Sequence, residues 1–155
     1  MPEQMPFYYN TRLTWTEGKR GRLSADGLPE IEVATPPEFD GPSGHWSPEH
    51  LFVAAASACV MTTFLAIAAN SKLAFKDYFC SATGKLEKME GTGLQITEIM
   101  MKLRLTVIQE KDKERAQRVI AKAEENCLIS RSMKTRVLVE PEIVVIGNAG
   151  PFDFT

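Results

Sequence analysis

Residues 45–70 read HWSPEHLFVAAASACVMTTFLAIAAN, and no other stretch restricts the fold of this chain as strongly. Ser47 offers a side-chain oxygen to the amides of a first helical turn, and Pro48 supplies the fixed φ suited to its first position. The run predicts a helix from about residue 48 to residue 70. Ser57, Cys59, Thr62, Thr63 and several alanines moderate its hydrophobicity, and 51–69 barely reaches the ~20 residues that a bilayer requires. A helix enclosed by protein on nearly all sides fits better. Its apolar surface exceeds what a 155-residue monomer readily covers, which points to a second subunit.

Strands flank this helix. FYYNTRLTW (7–15) is rich in aromatic and β-branched residues, TEGKRG supplies a turn, and RLSADG reads as a short return strand ending in an Asp-Gly turn. Ile31 and Val33 alternate before Pro36-Pro37 ends a third strand. DGPSGHW is a Gly/Pro loop. After the helix, 75–89 places Tyr78, Cys80, Ala82 and Leu86 on one face, and 97–107 alternates Ile99, Met101, Leu103, Leu105 and Val107 with mostly polar residues. Asp112 is the expected N-cap of a second helix, whose Ala116, Val119, Ile120, Ala123 and Cys127 share one face. A last strand, TRVLVEPEIVVIG, is expected to be interrupted at Pro141. The order βββ-α-ββ-α-β gives an α+β fold, and no linker divides the chain, so a single domain over 1–155 is expected.

Composition narrows the partners. Charged residues make up 25% of the chain and the net charge is −2, which argues against nucleic acid as a partner. The basic clusters GKRGR and RSMKTR read as solvated charge. MPEQMPFYYN has neither a basic nor an apolar segment of a signal peptide, so a cytoplasmic protein without a membrane anchor is expected. Three cysteines, at 59, 80 and 127, contain no CxxC, which weakens both metal-site and structural-disulfide readings. In a reducing compartment a functional disulfide is transient and catalytic.

Why Cys59 sits in the middle of the apolar helix then becomes the central question. The commonest role of a buried thiol is to fill space; Cys80, beside Tyr78 and Ala82, is read that way. Cys59 and Cys127 both face inward from core helices and could meet. To react, Cys59 must ionise, and apolar surroundings oppose ionisation. It lies beyond the first turn, where the helix dipole fades, so a nearby cation is required on this reading. Lys19, Arg20 and Arg22 in the first hairpin are the candidates. Glu49 could hold such a cation, but ten residues of helix span ~15 Å. Glu49 and Cys59 acting in one site therefore implies that Glu49 comes from the partner chain of a dimer.

The runs TPPEFDGPSGHWSPEHLFVAAASACVMTTFLAIA and AEENCLISRSMKTRVLVEPEIVV together resemble the OsmC/Ohr family of osmotically inducible and organic hydroperoxide resistance proteins. The likeness rests on Pro-Glu opening the central helix, a cysteine ten residues after that Glu, and a second cysteine before the final segment. It spans roughly residues 12–146. CLIS after the second cysteine departs from the Cys-Pro of the hydroperoxide resistance branch, and the tail GNAGPFDFT has no familiar counterpart.

The resemblance implies an intertwined homodimer in which curved antiparallel sheets wrap around two central helices. It implies a thiol-dependent peroxidase that reduces organic hydroperoxides to alcohols in oxidative-stress defence, with Cys59 peroxidatic and Cys127 resolving. Glu49 matches the carboxylate that orients an activating arginine of the first hairpin. Lys19 falls on the closest position and Arg20 is adjacent; Arg20 is favoured because a planar guanidinium holds carboxylate and thiolate together better than an ammonium does. A lipoyl-type dithiol would reopen the Cys59–Cys127 disulfide. No cofactor, whether metal, flavin or haem, is called for. Phe52, Ala55, Ala56, Met61 and Phe64 would favour alkyl or fatty-acyl peroxides.

Two other functions remain open. A catalytically weak relative could bind a small apolar ligand or electrophile at the same place. A cysteine hydrolase could use His45 or His50 as base, although both read as loop or surface histidines.

Overall fold

A computed structural model describes residues 5–147 of the chain; the tail singled out above lies, from residue 148 onward, outside the described residues. The chain divides into two compact units, 1–51 and 52–155.

The first unit is an antiparallel sheet of β1 (Arg12–Glu17), β2 (Arg20–Ser24) and β3 (Ile31–Ala34), in that order. The strand expected from residue 7 starts only at Arg12. Arg12 pairs with Ser24, and the Asp26-Gly27 turn then carries the chain away, so 7–11 have no strand to bond with among the described residues. After a 3₁₀ turn at Pro37–Phe39, the chain returns beside β3, where the Ala34 amide donates to the Trp46 carbonyl at 2.8 Å. Gly41 is required in this loop because a Cβ would lie 1.6 Å from the Thr35 carbonyl oxygen.

Helix α1 spans Pro48–Asn70, as its capping residues predict. The His50 amide donates to Ser47 Oγ at 3.2 Å, and the Leu51 amide donates to the Ser47 carbonyl at 3.0 Å. From residue 52 onward α1 belongs to the second unit, with β4 (Phe75–Met89), β5 (Gly93–Val107), α2 (Lys113–Asn126), α3 (Leu128–Arg131) and β6 (Arg136–Val145).

The sheet order is β4-β5-β6. β4 and β5 pair antiparallel, whereas β6 runs parallel to β5. Parallel neighbours need a crossover, and α2 provides it. Pro141 does not interrupt β6: the strand continues through it, opposite Leu103. β6 is an edge strand, where the missing N–H of proline can face outward.

The five apolar residues expected on β5 (Ile99, Met101, Leu103, Leu105, Val107) are buried, as are Ala116, Val119, Ile120, Ala123 and Cys127 of the α2 stripe. They form one core with Ala56, Cys59, Val60, Phe64 and Ala68 of α1. Phe64 packs edgewise on Phe75, centroids 5.3 Å apart, and at a tilt on Tyr78 at 5.1 Å. Close approach of α1 to β4 depends on Gly84, where a Cβ would stand 2.5 Å from Val53 Cγ2.

Asp112 is the N-cap of α2, as expected, although it makes no side-chain cap hydrogen bond, because a 3₁₀ turn at Glu110–Asp112 already holds it in helical backbone geometry. Two expectations need correction. Leu86 lies past a register shift in the β4–β5 ladder and is 41% exposed. Finally, α1 is not enclosed on nearly all sides within this chain. It is long and apolar enough to cross a membrane by length and composition, yet only 28% of its most apolar window is buried. Its buried residues make a single stripe along one face, since one sheet and one crossover helix cover only that face.

Candidate active site

Two elements of the second unit deliver the sulfurs. Cys59 lies mid-helix on the buried stripe of α1 and is 9% exposed. Cys127 follows the last residue of α2 in an extended conformation (φ −69°, ψ 111°), and α3 starts immediately after it. That break turns the chain while keeping the Cys127 side chain fully buried at the end of the apolar stripe. Both thiols are free and buried, and each shifts the ionisation of the other.

This pair is electrostatically unequal. Burial pushes the Cys59 thiol up, as desolvation of an anion must. Opposing it are hydrogen bonds from the Ile129 amide, the Cys127 thiol, the Thr63 hydroxyl and the Leu128 amide, and together they hold Cys59 below the ordinary thiol range. Cys127 moves the other way: burial raises it, Ser130 partly offsets this, and the neighbouring Cys59 raises it further. Of the two sulfurs, Cys59 is therefore the more readily ionised. Among the described residues, hydrogen-bond donors and no cation account for this lowering.

Two adjacent threonines divide the work around Cys59. Thr62 Oγ1 donates to the Cys59 carbonyl at 3.1 Å, while Thr63 Oγ1 stands 3.9 Å from Cys59 Sγ. Thr63, Leu128 and Ile129 were not singled out from sequence. A hydroxyl four residues after a helical cysteine is a legible signal, since i and i+4 share a face. The two amides are not legible, because they depend on how the chain turns after Cys127.

The other candidates lie in the first unit. Lys19 Nζ donates to the Phe39 carbonyl at 3.2 Å, Arg20 pairs with Glu17 at 3.4 Å, and Arg22 pairs with Glu30 at 3.5 Å. Each hairpin cation thus has a partner within its own unit. Glu49 is in the first turn of α1, and its Oε2 is buried with no hydrogen-bond partner among the described residues. His50 Nδ1 meets Ser47 Oγ at 2.6 Å; His45 meets the Ser43 carbonyl at 3.0 Å and Glu32 at 3.4 Å. Both histidines are occupied locally.

Of the five apolar residues expected near the thiol, Ala56 and Phe64 are fully buried in the core and Phe52 packs against it. Met61 is 37% exposed and Ala55 is exposed. Cys80 is half-buried on β4, and desolvation pushes its thiol up to about 11, which makes it a poor nucleophile near neutrality. Among the described residues no group of three or more His, Cys, Asp or Glu side chains could hold a metal ion.

Comparison with known proteins adds to this geometry. A family model for OsmC-like proteins matches residues 41–142, a span that contains both Cys59 and Cys127. No curated protein matches significantly. The fold is similar to that of an OsmC-like protein of unknown function from Vibrio cholerae, with a TM-score of 0.81, 23% identity, and coverage of 88% of this chain and 100% of that one. It is also similar to an organic hydroperoxide resistance protein from Legionella pneumophila (TM-score 0.71, 23% identity, 92% and 100% covered). A third likeness is to an organic hydroperoxide resistance protein from Elizabethkingia anophelis (TM-score 0.72, 22% identity, 92% and 99% covered).

Proposed function

Since the chain belongs to the OsmC-like protein family, we propose that it is a cysteine-based peroxidase that reduces organic hydroperoxides to alcohols. The observation that carries this reading is the interacting pair of buried, free thiols, with Cys59 held below and Cys127 above the ordinary thiol range. The names of the Legionella and Elizabethkingia proteins support the substrate class.

In the first step the Cys59 thiolate attacks the terminal oxygen of ROOH. The O–O bond breaks, RO⁻ leaves and takes a proton to become ROH, and Cys59 becomes a sulfenic acid. Cys127 then attacks the oxidised sulfur. A Cys59–Cys127 disulfide forms and water departs, carrying the sulfenic oxygen. An external dithiol, of lipoyl type, reduces that disulfide by exchange and is itself oxidised to a disulfide.

Glu49 completes the site on this proposal by holding a hairpin cation, Arg20 or failing that Lys19, against the peroxide. Its buried, unpartnered oxygen supports such a role. Arg20 would exchange Glu17 for Glu49. With ~15 Å of helix rise between Glu49 and Cys59, the carboxylate is assigned to the partner chain of a homodimer, which would also cover the exposed flanks of α1. A single functional domain over 1–155, acting in the cytoplasm in oxidative-stress defence, belongs to the same proposal.

Turnover of a bulky organic hydroperoxide with a dithiol reductant tests it. The expected result is consumption of peroxide that disappears in Cys59→Ser. One observation favours a second reading, a binder of a small apolar ligand or electrophile: Lys19, Arg20 and Arg22 are all engaged elsewhere. A protein whose Cys59 is alkylated readily but turns over no hydroperoxide supports the binder.

A further inference from the structure

We infer that Thr63 is a further catalytic group of this site: its hydroxyl donates to the Cys59 sulfur and favours the anionic form that attacks the peroxide.

Helical threonines commonly turn their hydroxyl back onto the carbonyl three or four residues earlier. For Thr63 the carbonyl four residues back is that of Cys59, which already accepts from Thr62 Oγ1 at 3.1 Å. Thr63 Oγ1 instead stands 3.9 Å from Cys59 Sγ, within reach of a sulfur hydrogen bond. The position is half-buried, so the hydroxyl is partly shielded from competing water. Charge-assisted hydrogen bonds gain strength in such a setting.

The other donors to this sulfur are the Leu128 and Ile129 amides and the Cys127 thiol. Their fates differ during the reaction. Cys127 loses its proton when it forms the disulfide, whereas the Thr63 hydroxyl can rotate. It donates to the thiolate, and it can accept from the S–OH of the sulfenic acid that follows. Thr63 is thus a donor that survives both steps and lies on the same rigid helix as the nucleophile.

This inference deepens the peroxidase reading and takes its catalytic meaning from it, but the thiolate can be measured without any peroxide. The experiment is the pH dependence of iodoacetamide alkylation of the reduced full-length protein, read by mass spectrometry on the peptide that contains Cys59. Thr63→Val removes the hydroxyl at nearly constant volume, and Thr63→Ala removes it while only shrinking the side chain. Both should raise the alkylation midpoint by about 0.5–1 pH unit, a three- to tenfold loss of thiolate below it. Thr63→Ser should restore it. An unshifted midpoint in Val and Ala, or a Ser variant that behaves like Val, overturns the role. A shifted midpoint in a protein without hydroperoxide turnover would leave Thr63 as the thiolate's donor and remove the peroxidase reading. Turnover with an unshifted midpoint would do the reverse.

Discussion

Cys127 and Cys59 are both buried and Cys127 lowers the thiol value of Cys59, so the residue expected to resolve the reaction also helps to ionise the residue expected to start it. Cys127→Ser should consequently have two effects. Cys59 should still react with hydroperoxide but stall as a sulfenic acid and pass on to sulfinic acid with excess oxidant. The first-step rate should change little, since a serine hydroxyl can also donate. Mass spectrometry of the Cys59 peptide after stepwise oxidant addition checks both.

The depressed Cys59 thiol also fixes a pH profile. The thiolate fraction rises as pH rises through the folded-state value, which lies below the ordinary thiol value of 9.0. The rate of Cys59 oxidation should therefore climb below pH 9.0 and level off before ordinary thiols ionise. Stopped-flow measurement in a Cys80→Ser background isolates this limb; a rate still climbing above pH 9.0 contradicts it.

Alkaline stability should reflect Cys80 and Tyr78. Burial raises both, Cys80 to about 11 and Tyr78 above its ordinary 10.0, with the Cys80 charge adding to the Tyr78 shift. A group whose folded value is raised contributes stability below its unfolded value and loses it as pH rises through the folded one. For Cys80 that window runs from 9.0 to about 11. The melting temperature should fall across it, and fall less steeply in Cys80→Ser.

Much of this arrangement was legible in the sequence. Ser47-Pro48 fixed the start of α1, and the period-two pattern at 99–107 and the helical spacing at 116–127 marked the core faces of β5 and α2. What was not legible depends on neighbours distant in the chain. Residues 7–11 have good strand chemistry but no strand to pair with among the described residues, and Pro141 stays inside β6 because that strand lies at an edge. The amides of Leu128 and Ile129 reach Cys59 only because the chain breaks helix at Cys127. Sequence patterning placed both sulfurs in the core, where they are buried, while their neighbours depend on tertiary structure.

Gly84→Ala should destabilise the second unit by about 1–3 kcal/mol, a cost typical of overpacking. The added Cβ meets Val53 Cγ2 at 2.5 Å, and a β-branched side chain in a helix has little freedom to move aside. Adding Val53→Ala should recover part of the loss. Chemical denaturation of the single and double variants measures the coupling.

If Glu49 holds a hairpin cation during turnover, Glu49→Gln and Arg20→Ala should each lower kcat/KM by about 100-fold. Neither should move the alkylation midpoint of Cys59, because the donors to that sulfur lie on α1, at Cys127 and on α3. Lys19→Ala should have the smaller effect. A loss confined to Lys19→Ala would transfer the role to the ammonium.

Peptide mapping of the reduced protein after one equivalent of an organic hydroperoxide tests the central claim most directly. The account predicts a crosslink between the peptides containing Cys59 and Cys127, with Cys80 still a free thiol. Oxidation that leaves Cys59 and Cys127 unlinked, or a disulfide that recruits Cys80, would contradict it.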